Sequence, residues 1–330
     1  MRQLHVVVIG GGLAGLASAV ELCDGGAQVT LVESRPTLGG AVQTLPERDG
    51  DPAPSPDNGQ HVALGACTAY EAFVQRVGSG DKLARLQLEL PVIDVDRRVS
   101  SIGPGPLGLL RYRHLSVRER LRVARVAQRL GRLDPAEHDG ASFGELLLAL
   151  GQREPEIDRF WDVFIRPALN LPSREASAAL GVFTVKTGLL GERSASDLLL
   201  PLAPLGEMHG DAAARVLGEA GATIVTRVRA VELDEGSVAL SDGTTLEADA
   251  TIVATPAPEA AELLGETGPT LEDSPIVSVH LWFDRSIMEP SLAALLDSPA
   301  HWVFDRGRLT GHEPESGQYL TVVSSGVPEL

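Results

Sequence analysis

Residues 5–15 read His5-Val6-Val7-Val8-Ile9-Gly10-Gly11-Gly12-Leu13-Ala14-Gly15, and the fold is decided there. The run Val6 to Ile9 is continuously β-branched rather than alternating, as a strand covered on both faces requires. It stops at three glycines, and Leu13 to Cys23 then carries the small and apolar residues of a buried helix. Gln28 to Val32 is a second strand. Two parallel strands joined by a helix form a right-handed βαβ unit, the opening of a doubly wound α/β sheet.

Gly10-x-Gly12-x-x-Gly15 therefore follows a strand and opens a helix, the context in which this spacing carries meaning. Gly10 permits the tight turn, Gly12 lets main-chain amides approach a pyrophosphate, and Gly15 lets helix and strand pack closely. The helix start adds unpaired N–H groups and a partial positive charge. Glu33 ends the second strand 18 residues after Gly15, where a carboxylate accepts hydrogen bonds from adenosine ribose hydroxyls and repels a 2′-phosphate. A solvated strand end is the plainer account of Glu33 alone.

After Glu33 come Ser34-Arg35-Pro36-Thr37-Leu38-Gly39-Gly40. This stretch resembles the E-x-R-x-x-x-G-G-R segment of the amine oxidase and phytoene desaturase superfamily, in which the glycine pair passes near the pyrophosphate of FAD. Ala41 stands where the family usually has arginine, which removes a cation near the phosphates. The resemblance implies a glutathione-reductase-like fold: a Rossmann-like FAD-binding domain with a β-meander, and a second α+β substrate domain. The FAD contacts it implies are Gly10, Gly12, Gly15, Glu33, Ser34, Arg35, Gly39, Gly40, Gln60 and Val228. Val228 matches the position whose backbone bonds the adenine, although a strand valine is as often simply core.

Asp57-Asn58-Gly59-Gln60-His61-Val62-Ala63-Leu64-Gly65 resembles a narrower group, the squalene-associated hydroxysqualene dehydroxylases. So do Trp161 with Pro167-Ala168-Leu169-Asn170, Asp197-Leu198-Leu199, and Pro275-Ile276-Val277 with His280-Leu281. Such an enzyme replaces an allylic hydroxyl by hydride from reduced FAD, turning hydroxysqualene into squalene. A dry tunnel must exclude water from the carbocation, and an acid must protonate the leaving oxygen. The resemblance places His61 and Asp57 near the flavin ring as catalytic candidates; an Asn-Gly turn with a helix-capping His is the alternative. Other readings are a carotenoid desaturase, an amine oxidase, and a non-catalytic flavin-binding relative serving as partner to other squalene-forming enzymes. Members of the family carry a closing Gly-Asp motif against the flavin, and none is visible after residue 283. The expectation is a chain shorter than its relatives or one that has lost that segment.

The length of 330 residues suits about two domains. The expected FAD-binding domain comprises residues 1–75 and 205–265, and the substrate domain 76–204 and 266–330. Pro46 to Gly59 holds four prolines and reads as an exposed loop. Residues 62–150 look mostly helical, with a strand at Leu90 to Val95 and a turn at Gly103 to Gly108. Beyond Gly221, the stretches ATIVT, VRAVEL, SVALSDG and ADATIVATP read as a meander returning to a parallel strand, with Asp242-Gly243 as a hairpin turn. Residues 274–283 and 318–324 add strands to a sheet in the substrate domain.

Twenty-eight Lys and Arg against 45 Asp and Glu give a formal charge of −17, which repels polyanions and argues against nucleic acid. Cys23 and Cys67 are too few for a disulfide framework and suit helical packing positions. The histidines are single and widely spaced, so no metal site is expected. No run of about 18 apolar residues occurs, and the expected location is the cytoplasm. One segment opposes the charge: Arg111 to Arg132 has eight arginines and one acid, Glu119. On a helix, Arg118, Arg122, Arg125, Arg129 and Arg132 fall on one side, and Val117, Leu121, Val123, Ala124, Ala127 and Leu130 on the other, with Arg120 the exception. Such a helix suits peripheral contact with the inner face of a membrane, where an isoprenoid substrate would be met. A solvated arginine face packed by its apolar side is the alternative.

Overall fold

A computed structural model describes residues 3–48 and 55–327. The chain divides into two compact units: Met1–Asn58, Ala69–Leu83 and Ala203–Glu272 in the first; Gly59–Thr68, Ala84–Leu202 and Asp273–Leu330 in the second.

The first unit is built on β1 (His5–Ile9), α1 (Leu13–Asp24) and β2 (Gln28–Glu33). Ala250–Val253, β1, β2 and Thr223–Thr226 form a four-stranded parallel sheet in that order. The continuous apolar run of β1 is explained by two separate cores. Val6 and Val8 pack with Leu16, Ala19 and Val20 of α1 and with Ala213 and Leu217 of the helix Ala212–Glu219. Val7 and Ile9 point the other way, onto Ala230, Val238 and Leu240. Those last residues belong to a three-stranded antiparallel meander, Ala230–Asp234, Ser237–Leu240 and Thr245–Glu247. Gly243 at its hairpin has φ +87°, as the Asp-Gly signal requires.

The second unit centres on a mixed six-stranded sheet, in the order Ile276–Phe283, Gln318–Ser325, Trp302–Asp305, Leu292–Leu295, Leu90–Ile93 and Val99–Ile102. Leu90, Val92, Ile102, Trp302 and Phe304 face a helical layer that supplies Tyr112, Val123, Val126, Leu130, Phe143 and Trp161. Trp161 meets Phe143 and Phe160 edge-on, and its indole N–H donates to Gln152 Oε1 at 2.6 Å, so this large ring is buried with its polar group satisfied.

Several expectations give way here. The region expected to be mostly helical carries four strands: Leu90–Ile93, where one was expected, and also Ala63–Leu64, Leu83–Leu86 and Val99–Ile102. The expected turn at Gly103 to Gly108 is instead a helix from Gly105 to Arg111. A Cβ on Gly108 would lie 2.0 Å from the Gly103 carbonyl oxygen, so the paired glycines fold the chain tightly enough to start a helix. Cys67 does not fill a packing position: it is exposed, just before the helix Thr68–Arg76. Part of the proline-rich stretch, residues 49–54, lies outside the described residues, and Thr44 and Asp57 on either side of it bridge as antiparallel partners. The arginine-rich helix spans Val117–Leu130, but its faces differ from the expected ones. Val117 and Leu121 are exposed, whereas Arg122 turns inward against buried Glu156. A hydrophobicity wheel cannot foresee this, because the buried carboxylate that recruits Arg122 comes from 34 residues away.

Candidate functional site

The turn between β1 and α1 is held by its ends. Gly10 N–H donates to the Val32 carbonyl at 2.8 Å, and the Ile9 carbonyl accepts from Ala254 N–H at 2.8 Å. Gly10 sits at φ +105°, and a Cβ there would lie 2.5 Å from the Ala254 carbonyl oxygen, so only glycine fits. Gly15 packs onto the same turn, its missing Cβ falling 1.8 Å from Gly10 O. Gly12 differs from both. It is the N-cap of α1, no side chain caps that helix, and a Cβ on Gly12 would meet nothing nearer than Gly40 Cα at 3.9 Å. The first amides of α1 are left for a ligand, beside space that a side chain would fill.

The glycine pair closes this cradle from the other side. Gly39 N–H donates to Gly11 O at 2.8 Å, and a Cβ on Gly40 would come within 3.0 Å of Gly12 Cα. Glu33 is buried at the end of β2. Its carboxylate accepts from Gly11 N at 2.7 Å, Arg35 N at 2.7 Å and Ser34 Oγ at 3.2 Å. A carboxylate offers about four acceptor sites, so these three donors fix its orientation and leave room for one ribose hydroxyl. Val228 precedes the strand rather than opening it. Arg227 at φ +64° ends the parallel strand, and Val228 N–H is spent on the Glu33 carbonyl at 3.3 Å. Its carbonyl is what remains for an adenine.

Three neighbours of this cluster have no motif. The Thr255 hydroxyl, just past the strand Ala250–Val253, is buried without a hydrogen-bond partner among the described residues. Thr255 N would lie 3.3 Å from a Cβ on Gly10. An orphaned buried hydroxyl beside a phosphate cradle is what a missing ligand oxygen leaves behind. Gly210 supports the glycine pair, since a Cβ on it would strike Leu38 O at 2.5 Å. Next to it, fully buried His209 places Nδ1 2.8 Å from the Leu205 carbonyl and Nε2 3.0 Å from Tyr70 Oη. The carbonyl can only accept, so Nδ1 carries the proton. In the neutral ring Nε2 then accepts from Tyr70.

The two catalytic candidates fall in different units. Asp57 is buried in the first unit, and its Oδ1 accepts from Thr44 Oγ1 at 2.7 Å and Leu205 N at 2.9 Å. That geometry makes it an anchor for three loops. Gln60 and His61 belong to the second unit. His61 is exposed, and Gln60 Nε2 donates to its carbonyl at 3.0 Å. Gly59, at φ +89°, rests this turn on the strand Ile276–Phe283, where a Cβ would lie 2.9 Å from Ser278 Oγ. Two residues along, His280 Nδ1 is 3.0 Å from both Tyr319 Oη and Thr321 Oγ1, and Tyr319 stacks on Trp282 at 4.4 Å. Cross-strand pairing of residues 40 apart assembles this polar cluster, which no local spacing announces. Among the described residues, no three His, Cys, Asp or Glu gather as metal ligands.

The flavin containing amine oxidoreductase family model matches residues 13–327. A 15-cis-phytoene desaturase of Capsicum annuum is 25% identical over 88% of this chain and 54% of its own length. The chain thus spans about half the length of the curated relatives it matches. Among solved structures, an oxidoreductase from Methanosarcina mazei superposes with a TM-score of 0.74 at 18% identity, covering 99% of this chain and 80% of that one. A putrescine oxidase bound to putrescine does so at 0.70 and 16%, covering 98% and 76%. The glycine cradle, the oriented Glu33 and the orphaned Thr255 hydroxyl are consistent with one diphosphate-bridged coenzyme, and the chain belongs to the flavin containing amine oxidoreductase family, with FAD as its cofactor.

Proposed function

We propose that this chain is an FAD-dependent oxidoreductase that exchanges hydride with an allylic carbon of a polyisoprenoid, most specifically in the reductive dehydroxylation of hydroxysqualene to squalene. The observation that supports the flavin part of the reading is the open space at Gly12, faced by uncapped helix amides and by Gly39-Gly40; the polyisoprenoid part is supported by the likeness to carotenoid desaturases. FAD held there supplies a two-electron hydride donor or acceptor. The chain's own tasks are to bind the coenzyme, exclude water and deliver a proton. Gly10, Gly12, Gly15, Gly39 and Gly40 would bring backbone to the phosphates, and Glu33 with Ser34 and Arg35 would orient the adenosine half. In the dehydroxylation the C–O bond breaks and a C–H bond forms, and the hydroxyl leaves as water with a proton from an acid. The His61 imidazole, exposed on its turn, is the proposed acid; Gln60 shapes that turn.

A second reading, desaturation of a carotenoid precursor, is favoured by the phytoene desaturase relative. The experiment that separates them is product analysis on FAD-reconstituted protein. Anaerobic incubation with hydroxysqualene and a reductant is expected to yield squalene, whereas phytoene with an acceptor would yield a visible chromophore under the second reading. Absence of both products from a flavin-loaded sample would overturn the polyisoprenoid assignment.

A further inference from the structure

The eight arginines between residues 111 and 132 do two different jobs. Arg122 pairs with buried Glu156, Arg120 donates to the Leu110 carbonyl at the end of the helix Gly105–Arg111, and Arg129 donates to the Leu150 carbonyl at 3.2 Å. These three are used within the second unit. Arg111, Arg113, Arg118, Arg125 and Arg132 have no acidic partner among the described residues, in a chain whose formal charge is −17.

The same outward surface carries large apolar side chains. The helix Val117–Leu130 buries Val123, Val126 and Leu130, leaving Val117 61% and Leu121 54% exposed. At about 100° per residue these two stand roughly 40° apart, with Arg118, Arg125 and Arg132 following at about 60–100°. The helix Gly105–Arg111 packs alongside and adds Leu107 and Leu110, 68% and 54% exposed. A face evolved only for solvation has no use for four such side chains beside Arg118, Arg125 and Arg132. An interfacial face needs both, apolar groups for the acyl boundary and long cations that reach back to phosphates.

We propose that this surface, formed by Leu107, Leu110, Val117 and Leu121 with Arg118, Arg125 and their neighbours, docks the second unit onto an anionic phospholipid bilayer. Charge complementarity selects the occupant: a local cation cluster on a strongly acidic chain prefers anionic over zwitterionic headgroups. Single-stranded nucleic acid would want stacking aromatics here, and the exposed apolar groups are aliphatic. The inference stands on the second unit alone and does not depend on the redox reading.

The test is sedimentation of the FAD-loaded chain with vesicles of phosphatidylcholine, alone or with about 30% phosphatidylglycerol, at low and high salt. Binding is expected only to the anionic vesicles, and salt should weaken it. Neutralising Arg118, Arg125 and Arg132 to Gln should weaken it roughly 100-fold, at about fivefold per cation. Leu107→Ser with Leu121→Ser should abolish it while far-UV circular dichroism and melting stay unchanged. No binding to either vesicle, or anionic binding indifferent to both variants, would overturn the proposal. So would concentration-dependent self-association of the vesicle-indifferent wild type that the serine pair removes, because the face would then belong to a second copy of the chain.

Discussion

Replacing Gly12 with alanine separates holding the fold from holding the coenzyme. Gly12 has φ −74° and ψ 178°, backbone that alanine adopts without strain. The added Cβ would be 3.9 Å from Gly40 Cα and touch nothing else within 4 Å. Alanine is a poorer N-cap than glycine by roughly 0.5–1 kcal/mol but restricts the unfolded chain by a similar amount, so these opposed effects leave stability within about 0.5 kcal/mol of wild type. The same methyl occupies the space beside the first amides of α1. If it denies the diphosphate two charge-assisted hydrogen bonds, at about 1.5 kcal/mol each, the loss is about 3 kcal/mol and the FAD Kd rises roughly 100-fold. Gly15→Ala is the contrast. Its Cβ would lie 1.8 Å from Gly10 O, so helix and turn must separate by more than about 1 Å, at about 1–3 kcal/mol or more. Thermal melting of the apoprotein and flavin fluorescence titration read the two quantities separately. A Gly12→Ala protein that binds FAD like wild type, or that melts as early as Gly15→Ala, would refute the reasoning.

Thr255→Val should raise apoprotein stability by about 1 kcal/mol, because it removes a buried hydroxyl with no partner, and should weaken FAD binding; an unchanged melt would show that the hydroxyl is already satisfied. Asp57→Ala should cost about 2–3 kcal/mol in the apoprotein by leaving Leu205 N–H and the Thr44 hydroxyl proton without their acceptor, whereas His61→Ala should leave the melt unchanged and lower turnover with flavin still bound. If His61→Ala turns over normally, its acid role is wrong. The Ser116 amide donating to Glu119 holds that carboxyl below the usual carboxylate range. Its stabilisation is therefore full above the unfolded-state value and disappears as pH falls through the lowered folded-state value. Glu119→Gln should melt earlier than wild type at neutral pH and indistinguishably near about pH 2; an equal deficit at both would contradict the capping assignment.

The first forty residues were readable because each glycine there answers to a backbone requirement, and a spacing of glycines records main-chain geometry directly. Val6 to Ile9 was readable for a related reason, since a strand between two cores cannot alternate. The meander was found from its Asp-Gly turn. Legibility failed where partners come from far along the chain. Leu292–Leu295 and Trp302–Asp305 are four-residue strands whose identity depends on neighbours in the sheet, and no period shows in so few residues. Arg122 looks like a surface cation, and Arg120 like an exception on the apolar side, until Glu156 and Leu110 O are placed beside them. Thr255, Gly210 and the Tyr70–His209 pair belong to no spacing pattern, and their roles follow only from what packs on Gly10 and Leu38. For the apolar residues of the helix Val117–Leu130, hydrophobicity alone put Val117 and Leu121 on one side with Val123 and Leu130, and packing of that side onto the domain would bury all four. Near the start of a helix, where few neighbours arrive to cover them, that inference does not hold.

The central claim is that main-chain amides of the β1–α1 turn hold the diphosphate of FAD. Its most direct test is calorimetric titration of the apoprotein with FAD, followed by competition with ADP, which carries the same diphosphate and ribose. Saturable binding of one FAD per chain, displaced by ADP and weakened roughly 100-fold in Gly12→Ala, is the predicted result. Heat that never saturates, or FAD binding that ADP leaves untouched, would contradict it.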